Sequence, residues 1–473
     1  MDITENGSTS VTGTTNDGSS DSYWSSHPNP ALLHRSLHEP PIVAESTFGN
    51  YIQLQNGVSV LDACGGAAVA IIGHGNQEVI SAICKQLSIV SYVHSLTYTT
   101  SAAEELAEVL VSDKPGGLSK AFFVSSGSEA IDGAMKLARQ YFFEKGETER
   151  KHFISRRKSY HGNTWGAMSL SNNLSRLVPY KDILLPHVSH LTPCYPYQYK
   201  EQGESDEKFV RRLAAELDVE FKRLGPGNVI AFVAETVGGA TSGCITPLPG
   251  YFSAMRDVCK RHGALLILDE IMCGVGRTGT FFDWEQEGIS PDIMTLGKGL
   301  GGGYSPIAGI LIHEDVVSTL AKGSGKFNHG HTYQAHPLSC AAALAVQKIV
   351  KRDNLVERCK SLGLILETKL NHALGSELHV GEIRGRGLLW AIEFVKDRAT
   401  KEPFDPKHQF GLKVQFAAFN LGIAIYPGAA TVNGLHGDHV LIAPPYTISE
   451  IEIDVIVQAV AKAYHQALEE LEC

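Results

Sequence analysis

Two ionisable residues near the middle of the chain stand directly after apolar runs. Asp269 follows the run 265–268, and Lys298 stands among glycines just after the run 293–296. A carboxylate at the end of a buried strand is costly without a cationic partner, which suits Asp269 to hold a protonated ring nitrogen. A buried lysine loses its proton easily and then attacks carbonyl groups. The alternative for Lys298 is a solvated position in a glycine-rich loop.

Three other apolar runs also end in residues that suit ligand binding. Small residues at 125–128 open a helix, whose exposed N–H groups favour a phosphate, although an ordinary helix N-cap would have the same pattern. Tyr160 stands near Gly162, so its ring is placed either against a flat ligand or in the core. Glu235 ends the run 229–234 and is either a site residue or a solvated loop charge.

Two glycine-rich segments imitate a dinucleotide-binding motif. Residues 274–279 and 297–302 both match G-x-G-x-x-G. The dinucleotide fingerprint opens a helix directly after a strand and precedes an acid by about 20 residues. The first segment instead runs into Thr-Phe-Phe-Asp-Trp and has its acids before the glycines, and Lys298 lacks Walker A spacing. These departures argue against a nicotinamide, flavin or P-loop site.

The elements that must position these residues alternate along the middle of the chain. Apolar runs cover residues 121–124, 229–234, 265–268, 293–296 and 307–312, and helical patterns cover 129–143, 209–224 and 251–262. The alternation predicts an α/β fold with a mostly parallel sheet covered by helices on both faces. Such sheets bind ligands outside the carboxyl ends of their strands, which is where the candidate residues stand.

Composition and patterning divide the chain into four predicted segments. They are a disordered tail at 1–26, an N-terminal segment at 27–80 that packs with the small domain, a large domain at 81–345 and a small α+β domain at 346–473. Residues 51–60 predict a hairpin that turns at Asn56-Gly57. A capping box from Thr447 to Glu450 predicts the start of the closing helix.

The overall composition excludes several classes of protein. The chain has 473 residues, with 41 Lys and Arg against 51 Asp and Glu, a net charge of −10 that argues against a nucleic-acid partner. No run approaches the roughly 18 apolar residues of a membrane span. The nine cysteines form no C-x-x-C pair, which argues against a disulfide framework and a metal site. Scattered thiols suit a reducing compartment, and we expect a cytoplasmic protein.

The ordered set of motifs resembles the class III aminotransferases, pyridoxal-phosphate enzymes of fold type I that include ω-amino-acid transaminases and dialkylglycine decarboxylase. The resemblance spans residues 28–470. Its most specific part is Leu-Ile-Leu-Asp-Glu-Ile followed by G-x-G-R-T-G, with a Gly-Lys-Gly lysine 29 positions after the acid. It implies a large, mostly parallel-sheet domain with helices on both faces and a smaller α+β domain.

The resemblance implies how pyridoxal 5′-phosphate is used. Lys298 would hold the cofactor as an internal aldimine and later move a proton, while Asp269 would keep the ring nitrogen protonated so that the ring accepts electrons. Tyr160 would stack on the ring and Ile271 would pack beneath it. Glu235 would lie near the ring and the lysine.

The resemblance also implies a shared phosphate site. Gly127 and Ser128 would bind the phosphate, with Ser126 adjacent. Thr332 matches the threonine that reaches the phosphate of a neighbouring subunit, so the resemblance implies a homodimer with shared active sites.

Two residues are implied to meet the substrate. Arg384 matches an arginine that takes the substrate carboxylate, and the alternative is a surface ion pair. Ala68, with Ala67, stands where enzymes for bulky arylalkylamines often have an aromatic residue, so it predicts space there and a preference for amino acids.

Together these residues predict an aminotransferase. It would move an amino group from an amino acid or amine donor to an oxo acid acceptor by a ping-pong reaction through pyridoxamine phosphate. The alternatives are a decarboxylase of the dialkylglycine type, or a racemase or aminomutase of the same fold. A binding protein that retains the cofactor without turnover is a third class.

Overall fold

The computed structural model describes residues 31–38 and 40–472. The predicted tail at 1–26 lies outside the described residues. Fifteen strands lie in this part of the chain: β1 Ala44–Phe48, β2 Tyr51–Leu54, β3 Ser59–Asp62, β4 Leu118–Val124, β5 His152–Arg156, β6 Val188–Leu191, β7 Val229–Glu235, β8 Leu265–Asp269, β9 Ile293–Leu296, β10 Ala308–His313, β11 Val380–Arg386, β12 Leu389–Phe394, β13 Ile423–Ala424, β14 Tyr426–Ala429 and β15 Asp438–Ile442.

The helices connect these strands and cover the sheets. Those in the described residues are α1 Gly65–Ala68, α2 Gln77–Ile89, α3 Ser101–Val111, α4 Gly127–Glu144, α5 Trp165–Leu170, α6 Leu174–Leu177, α7 Pro196–Tyr199, α8 Asp206–Leu224, α9 Tyr251–Arg261, α10 Glu314–Lys322, α11 Pro337–Arg352, α12 Leu355–Leu374, α13 Phe410–Asn420 and α14 Glu450–Glu472. Short 3₁₀ turns lie at Pro115–Gly117, Lys181–Ile183, Asp283–Glu287, Lys298–Leu300 and Pro406–His408.

The central sheet has seven strands in the order β4-β10-β9-β8-β7-β5-β6. Strand β10 is antiparallel to both of its neighbours, and the pairs from β9 to β6 are parallel. In the register, Glu235 pairs with Asp269, and Asp269 pairs with Thr295. The candidate residues therefore meet at one edge of the sheet, and the predicted α/β fold is confirmed.

Helices cover the sheet because its strands are apolar on both faces. Every residue of β7 and β8 is buried. Alternate residues enter different cores: Leu266 and Leu268 belong to one cluster, and Leu265 and Ile267 belong to another that also contains the buried face of α4. This period of two leaves only the ends of the strands for polar chemistry.

Two four-stranded sheets flank the central one, in the orders β1-β2-β3-β13 and β11-β12-β15-β14. The predicted hairpin is confirmed, since β2 and β3 pair antiparallel with Tyr51 opposite Leu61. Strand β13 pairs in parallel with β3, which joins the N-terminal segment to the C-terminal part of the chain. The predicted domain boundaries themselves stay predictions.

The structure corrects two local expectations. Strands β5 and β6 were absent from the predicted pattern because they are short and carry polar residues, such as His152 and His190. The capping box of α14 is formed by Ser449 and Glu452, whose hydroxyl and carboxylate each accept the other's backbone N–H. Thr447 instead donates its hydroxyl to Asn50 Oδ1 at 2.9 Å.

Three further properties concern the described residues alone. Their eight cysteines are free thiols. No helix among them is both long enough and apolar enough to cross a membrane. They contain no group of three or more His, Cys, Asp and Glu side chains arranged to hold a metal ion.

Candidate active site

A cavity of about 580 Å³ opens at the carboxyl ends of the central strands. Its inner part, called the floor here, consists of Glu235, Asp269 and Lys298. Its outer part, called the mouth, consists of Arg35, Ala67, Arg176 and the segment 426–435. A cavity of this size has room for a small cofactor together with a substrate.

Asp269 is held at the floor by three hydrogen bonds. It ends β8 and is 4% exposed. Its Oδ2 lies 2.8 Å from His161 Nδ1, and its Oδ1 accepts the Ile271 N–H at 3.1 Å and the Thr295 hydroxyl at 3.4 Å. Because a carboxylate only accepts, His161 Nδ1 carries the proton in this contact. These donors fix the orientation of the Asp269 carboxylate at the floor of the cavity.

His161 is a site residue that sequence reasoning did not assign. Its imidazole is fully enclosed, and its Nε2 has no hydrogen-bond partner among the described residues. It directly follows Tyr160, so the motif was visible, but no spacing rule connects it to Asp269 more than 100 residues later. Only the parallel packing of β5 beside β7 and β8 brings the two together.

Lys298 reaches the floor from the turn that follows β9. Its φ is 43°, an unusual left-handed value for a residue other than glycine. The surrounding protein lowers the pKa of its amine to about 8, mainly through desolvation, while the charges of Asp269 and Glu235 oppose that shift. A substantial fraction of neutral amine is therefore present near neutral pH, which suits a nucleophile and proton carrier.

Glu235 joins the floor to the loop that carries Tyr160. Its Oε2 accepts the Tyr160 N–H at 3.2 Å, and its Oε1 accepts the Gly239 N–H at 2.9 Å. Burial raises the pKa of this carboxyl, and the nearby Asp269 charge adds to the rise. The Tyr160 ring lines the cavity and carries the Arg176 guanidinium at 5.3 Å from its centroid.

The start of α4 offers an anion site at the cavity wall. Gly127 and Ser128 line the cavity, and their backbone N–H groups stand in the first turn, where no intrahelical acceptor exists. Ser126 is the helix N-cap: its Oγ accepts the Glu129 N–H at 3.3 Å, and Glu129 accepts the Ser126 N–H at 3.1 Å. Ser126 is therefore an ordinary helix N-cap, the alternative that the sequence left open for this segment, and it lies outside the cavity lining.

Two close approaches shape the cavity for a planar ligand. A Cβ on Gly127 would lie 2.8 Å from Ile271 Cδ1, so Ile271 packs directly on the start of α4. A Cβ on Gly162, at φ +136°, would lie 2.5 Å from Ser128 Oγ. Gly162 is required by its φ and by Ser128 Cα at 2.8 Å, and a side chain at position 127 would displace Ile271.

The residues present fit pyridoxal phosphate. Asp269 is an oriented carboxylate for the ring nitrogen, Lys298 is an amine of lowered pKa for the aldehyde, and the helix start offers N–H donors for the phosphate. Tyr160 and Ile271 supply walls for the ring.

Arg384 lies outside the cavity lining of this ligand-free chain, and its role as the substrate-carboxylate residue stays a prediction. Its Nη1 donates to Glu393 at 2.6 Å and to Glu382 at 2.8 Å. Its Nε and Nη2 donate to the carbonyls of Gly243 and Ser242. The guanidinium is buried, and although burial alone would raise the pKa of Glu393, the Arg384 charge lowers it. Here Arg384 therefore forms a buried ion pair and not the surface pair that the sequence left open as the alternative.

Ala68 also lies outside the cavity lining, and its effect on substrate choice stays a prediction. It is 2% exposed and packs in a core cluster with Val237, Cys273 and Leu441. Its neighbour Ala67 lines the cavity instead. The irregular backbone of α1 causes this difference, because Gly66 and Ala67 have non-helical angles that turn Ala67 outward.

Thr332 lies in an exposed loop away from the cavity of its own chain. Its carbonyl accepts the Tyr92 hydroxyl at 3.0 Å. Its expected contact belongs to a neighbouring subunit, and that role stays a prediction.

Comparisons with known proteins agree with this geometry. A family model described as "Aminotransferase class-III" matches residues 33–464. An aminotransferase of Schizosaccharomyces pombe is 48% identical over 90% of this chain and 92% of its own. An (S)-enantioselective ω-transaminase of Thermomicrobium roseum superposes with a TM-score of 0.86 at 36% identity, over 93% of this chain and 96% of its own.

An amine transaminase of an uncultivated Pseudomonas species, solved in its PLP-bound form, has a TM-score of 0.86 at 31% identity, over 93% of this chain and 98% of its own. The family match covers most of the chain, and the cavity holds the groups that the family's cofactor needs. The chain therefore belongs to the class III aminotransferases and is a pyridoxal-phosphate-dependent transferase.

Proposed function

We propose that Lys298 carries the cofactor and that the enzyme transfers amino groups between an amino acid or amine and an oxo acid in a ping-pong reaction. The observation that carries this proposal is the position of Lys298 in one cavity with Asp269, where burial lowers the pKa of the lysine to about 8. The cofactor has an aldehyde and a ring nitrogen. A neutral amine can attack the aldehyde while an oriented carboxylate holds the ring nitrogen, and Lys298 and Asp269 supply these two groups.

Each residue at the floor has a separate role in the proposed reaction. Bound pyridoxal phosphate supplies an electron sink next to the reacting carbon. Asp269 holds the proton on the ring nitrogen, and His161 orients Asp269 by donating a hydrogen bond to it. Lys298 is the base that takes a proton at its Nζ from the substrate carbon and returns it. Glu235 positions Tyr160 by accepting its backbone N–H.

The test has two parts. Borohydride reduction of the holoenzyme and peptide mapping should place the cofactor label on Lys298, and Lys298→Ala should lose the label and the activity. Lys322→Ala, on the exposed end of α10, is the matched control. Label on another lysine would contradict the assignment.

The second part follows a panel of amino acids and amines through the absorbance change of the cofactor. Each donor that reacts should release one equivalent of its oxo product. Carbon dioxide release in the same proportion would instead indicate the decarboxylase alternative, and loss of optical purity without an oxo product would indicate a racemase.

We further propose a homodimer in which Thr332 serves the phosphate site of the partner. Two observations support it: Thr332 is exposed and outside the cavity lining of its own chain, and Tyr92 and Tyr333 beside it are exposed at 41% and 60%, with their rings 6.1 Å apart. Contiguous exposed apolar surface marks an interaction site.

Mixing inactive Lys298→Ala and Thr332→Ala proteins tests the shared site. In a mixed dimer both changes fall in one of the two sites, so the other site is intact and activity should reappear. A monomer in sedimentation, or no recovery in proven mixed dimers, would contradict the proposal.

A further inference from the structure

A turn between β14 and β15 forms part of the mouth and closes on itself. We call this turn, residues 430–436, the mouth loop. Within it the Gly434 N–H donates to the Ala430 carbonyl at 3.1 Å, and the Val432 N–H donates to the His436 carbonyl at 2.8 Å. Ala430 and Gly434 line the cavity. The position of this compact loop therefore determines the shape of the cavity entrance.

One lysine ties the mouth loop to the rest of the protein. The Lys158 Nζ donates to the Thr431 carbonyl, and among the described residues no other hydrogen bond joins the loop to another segment. The loop also approaches α6 closely, since a Cβ on Gly434 would lie 2.6 Å from the Leu174 Cβ. The polar attachment of the loop thus depends on Lys158.

Packing alone does not account for a lysine at position 158. The residue is 9% exposed, and its Nζ lies 5.4 Å and 5.0 Å from the ring centroids of Tyr195 and Tyr199. No described carboxylate forms an ion pair with it, and burial lowers the pKa of its amine to about 8, although the Glu393 charge opposes that shift. An apolar residue of similar size would fill the same space without the cost of burying a charge.

The backbone of Lys158 is fixed within the segment that leads to Tyr160. Its N–H donates to Asn172 Oδ1 at 3.3 Å, and the Asn172 N–H donates to the Ser159 carbonyl at 2.9 Å. Tyr160 lines the cavity, whereas Lys158 does not. The lysine therefore connects a fixed segment beside the floor to the mouth loop without itself meeting a ligand in the cavity.

We propose that Lys158 is a positioning residue that holds the mouth loop at the cavity entrance and thereby sets the affinity for substrates. The inference rests on the proposed function in taking amino donors as those substrates. Without the bond to Thr431 the loop is closed for a smaller fraction of the time, and the apparent affinity falls with that fraction. The groups at the floor are unchanged, so kcat is preserved.

Hydrogen exchange of the holoenzyme measures the loop directly. Lys158→Met should speed exchange of the Val432 and Gly434 amides by about tenfold, because a hydrogen bond from a charged donor no longer restrains the loop. Lys158→Arg keeps a charged donor and should exchange more slowly than Lys158→Met. Lys322→Met, at the exposed end of α10, is the matched control and should exchange like the wild type. Unchanged exchange in Lys158→Met would overturn the inference.

Kinetics distinguish an effect on binding from a general loss of structure. With the fastest donor of the panel, Lys158→Met should raise KM by about fivefold or more and leave kcat within about twofold. The absorbance spectrum of the bound cofactor should match that of the wild type. An unchanged KM, with or without a fall in kcat, would overturn the inference. If Lys158→Met does not fold, Lys158→Gln, whose side chain is one atom shorter and uncharged, is held to the same outcomes.

The exchange measurement also separates this inference from the proposed function, because it needs no turnover. Faster exchange in Lys158→Met, together with a wild type that transfers no amino group, would contradict the proposed function alone. Unchanged exchange in an active aminotransferase would contradict the inference alone.

Discussion

The floor and the mouth of the cavity differ in how the chain builds them. The floor residues Glu235, Asp269 and Lys298 stand at or just after the ends of three neighbouring strands, within 64 positions of the chain. The mouth comes from loops and short helices as distant as Arg35 and Leu435. The reacting groups are therefore carried by the ends of a rigid sheet. The residues that contact the substrate are carried by loops and short helices, which can vary without disturbing that sheet.

The two regions also differ in their surroundings. Asp269 and Glu235 are almost fully buried, and the pKa of Lys298 is lowered, whereas Arg176 is exposed and unpaired among the described side chains. We expect changes at the floor to lower the rate with every substrate. Changes at the mouth should alter the choice between substrates.

The largest expected effect concerns the amine at the floor. In cofactor-free protein, labelling of Lys298 by formaldehyde and cyanoborohydride should rise with a midpoint near pH 8, because the neutral amine reacts and its pKa is about 8. At pH 7 its neutral fraction exceeds that of an ordinary lysine by roughly a few hundredfold. Mass spectrometry of quenched samples measures the midpoint. A midpoint near that of exposed lysines would contradict the lowered pKa of Lys298 and with it the difference in surroundings between the floor and the mouth.

The carboxylate of the floor should show the next effect. Asp269→Asn should lower kcat by about 10²–10³-fold with all donors, since an amide holds the ring proton poorly. His161→Gln should cost about tenfold, the worth of one hydrogen bond to a charged group. His161 is a positioning residue, so its substitution should also shift the absorbance pH profile of the holoenzyme. A change in KM alone, with kcat unaltered, would mean that His161 affects substrate binding and not the chemistry at the floor.

Variants of Arg384 test whether this residue serves the stability of the fold or the binding of a substrate carboxylate. Arg384→Met removes the partner of the buried Glu393 and should cost about 3–5 kcal/mol of stability, measured by urea unfolding. Adding Glu393→Leu should return part of that loss. A ratio of kcat/KM for an oxo acid to that for an aldehyde that stays within about twofold would favour the stability role, and a selective loss of the oxo acid would identify Arg384 as a substrate residue.

The smallest effect separates two adjacent alanines. Ala67→Leu should lower kcat/KM for bulky amines several-fold with little change in stability, because Ala67 lines the cavity. Ala68→Leu should instead lower the free energy of unfolding by about 1–3 kcal/mol, because a larger side chain overpacks the core at this buried residue, whose φ is 62°. Thermal unfolding measures the change in stability, and the ratio of kcat/KM for alanine to that for 1-phenylethylamine measures the change in substrate choice. If Ala68→Leu changed the ratio and Ala67→Leu changed the stability, the assignment of the two alanines would be wrong.

The sequence by itself determined five of the seven strands of the central sheet and the residues of the floor. Runs such as 293–296 are apolar throughout, so strands and the residues just after them follow from hydrophobicity alone. The parallel register then brings Asp269 beside Glu235 without further information. The family motif covers the same residues, which is why Lys298, Tyr160 and Ser128 all line the cavity.

Tertiary structure alone decided the partners of each charge and the direction of each loop. An arginine in the sequence is equally compatible with a substrate carboxylate and an internal glutamate, and only packing shows that Glu393 reaches Arg384 while no described acid reaches Arg176. Irregular backbone turned Ala67 rather than Ala68 into the cavity, and strand order placed His161 on Asp269. Hydrophobic periodicity is a local property of the chain, whereas ion pairs and loop directions depend on contacts between residues far apart in sequence, so no local pattern encodes them.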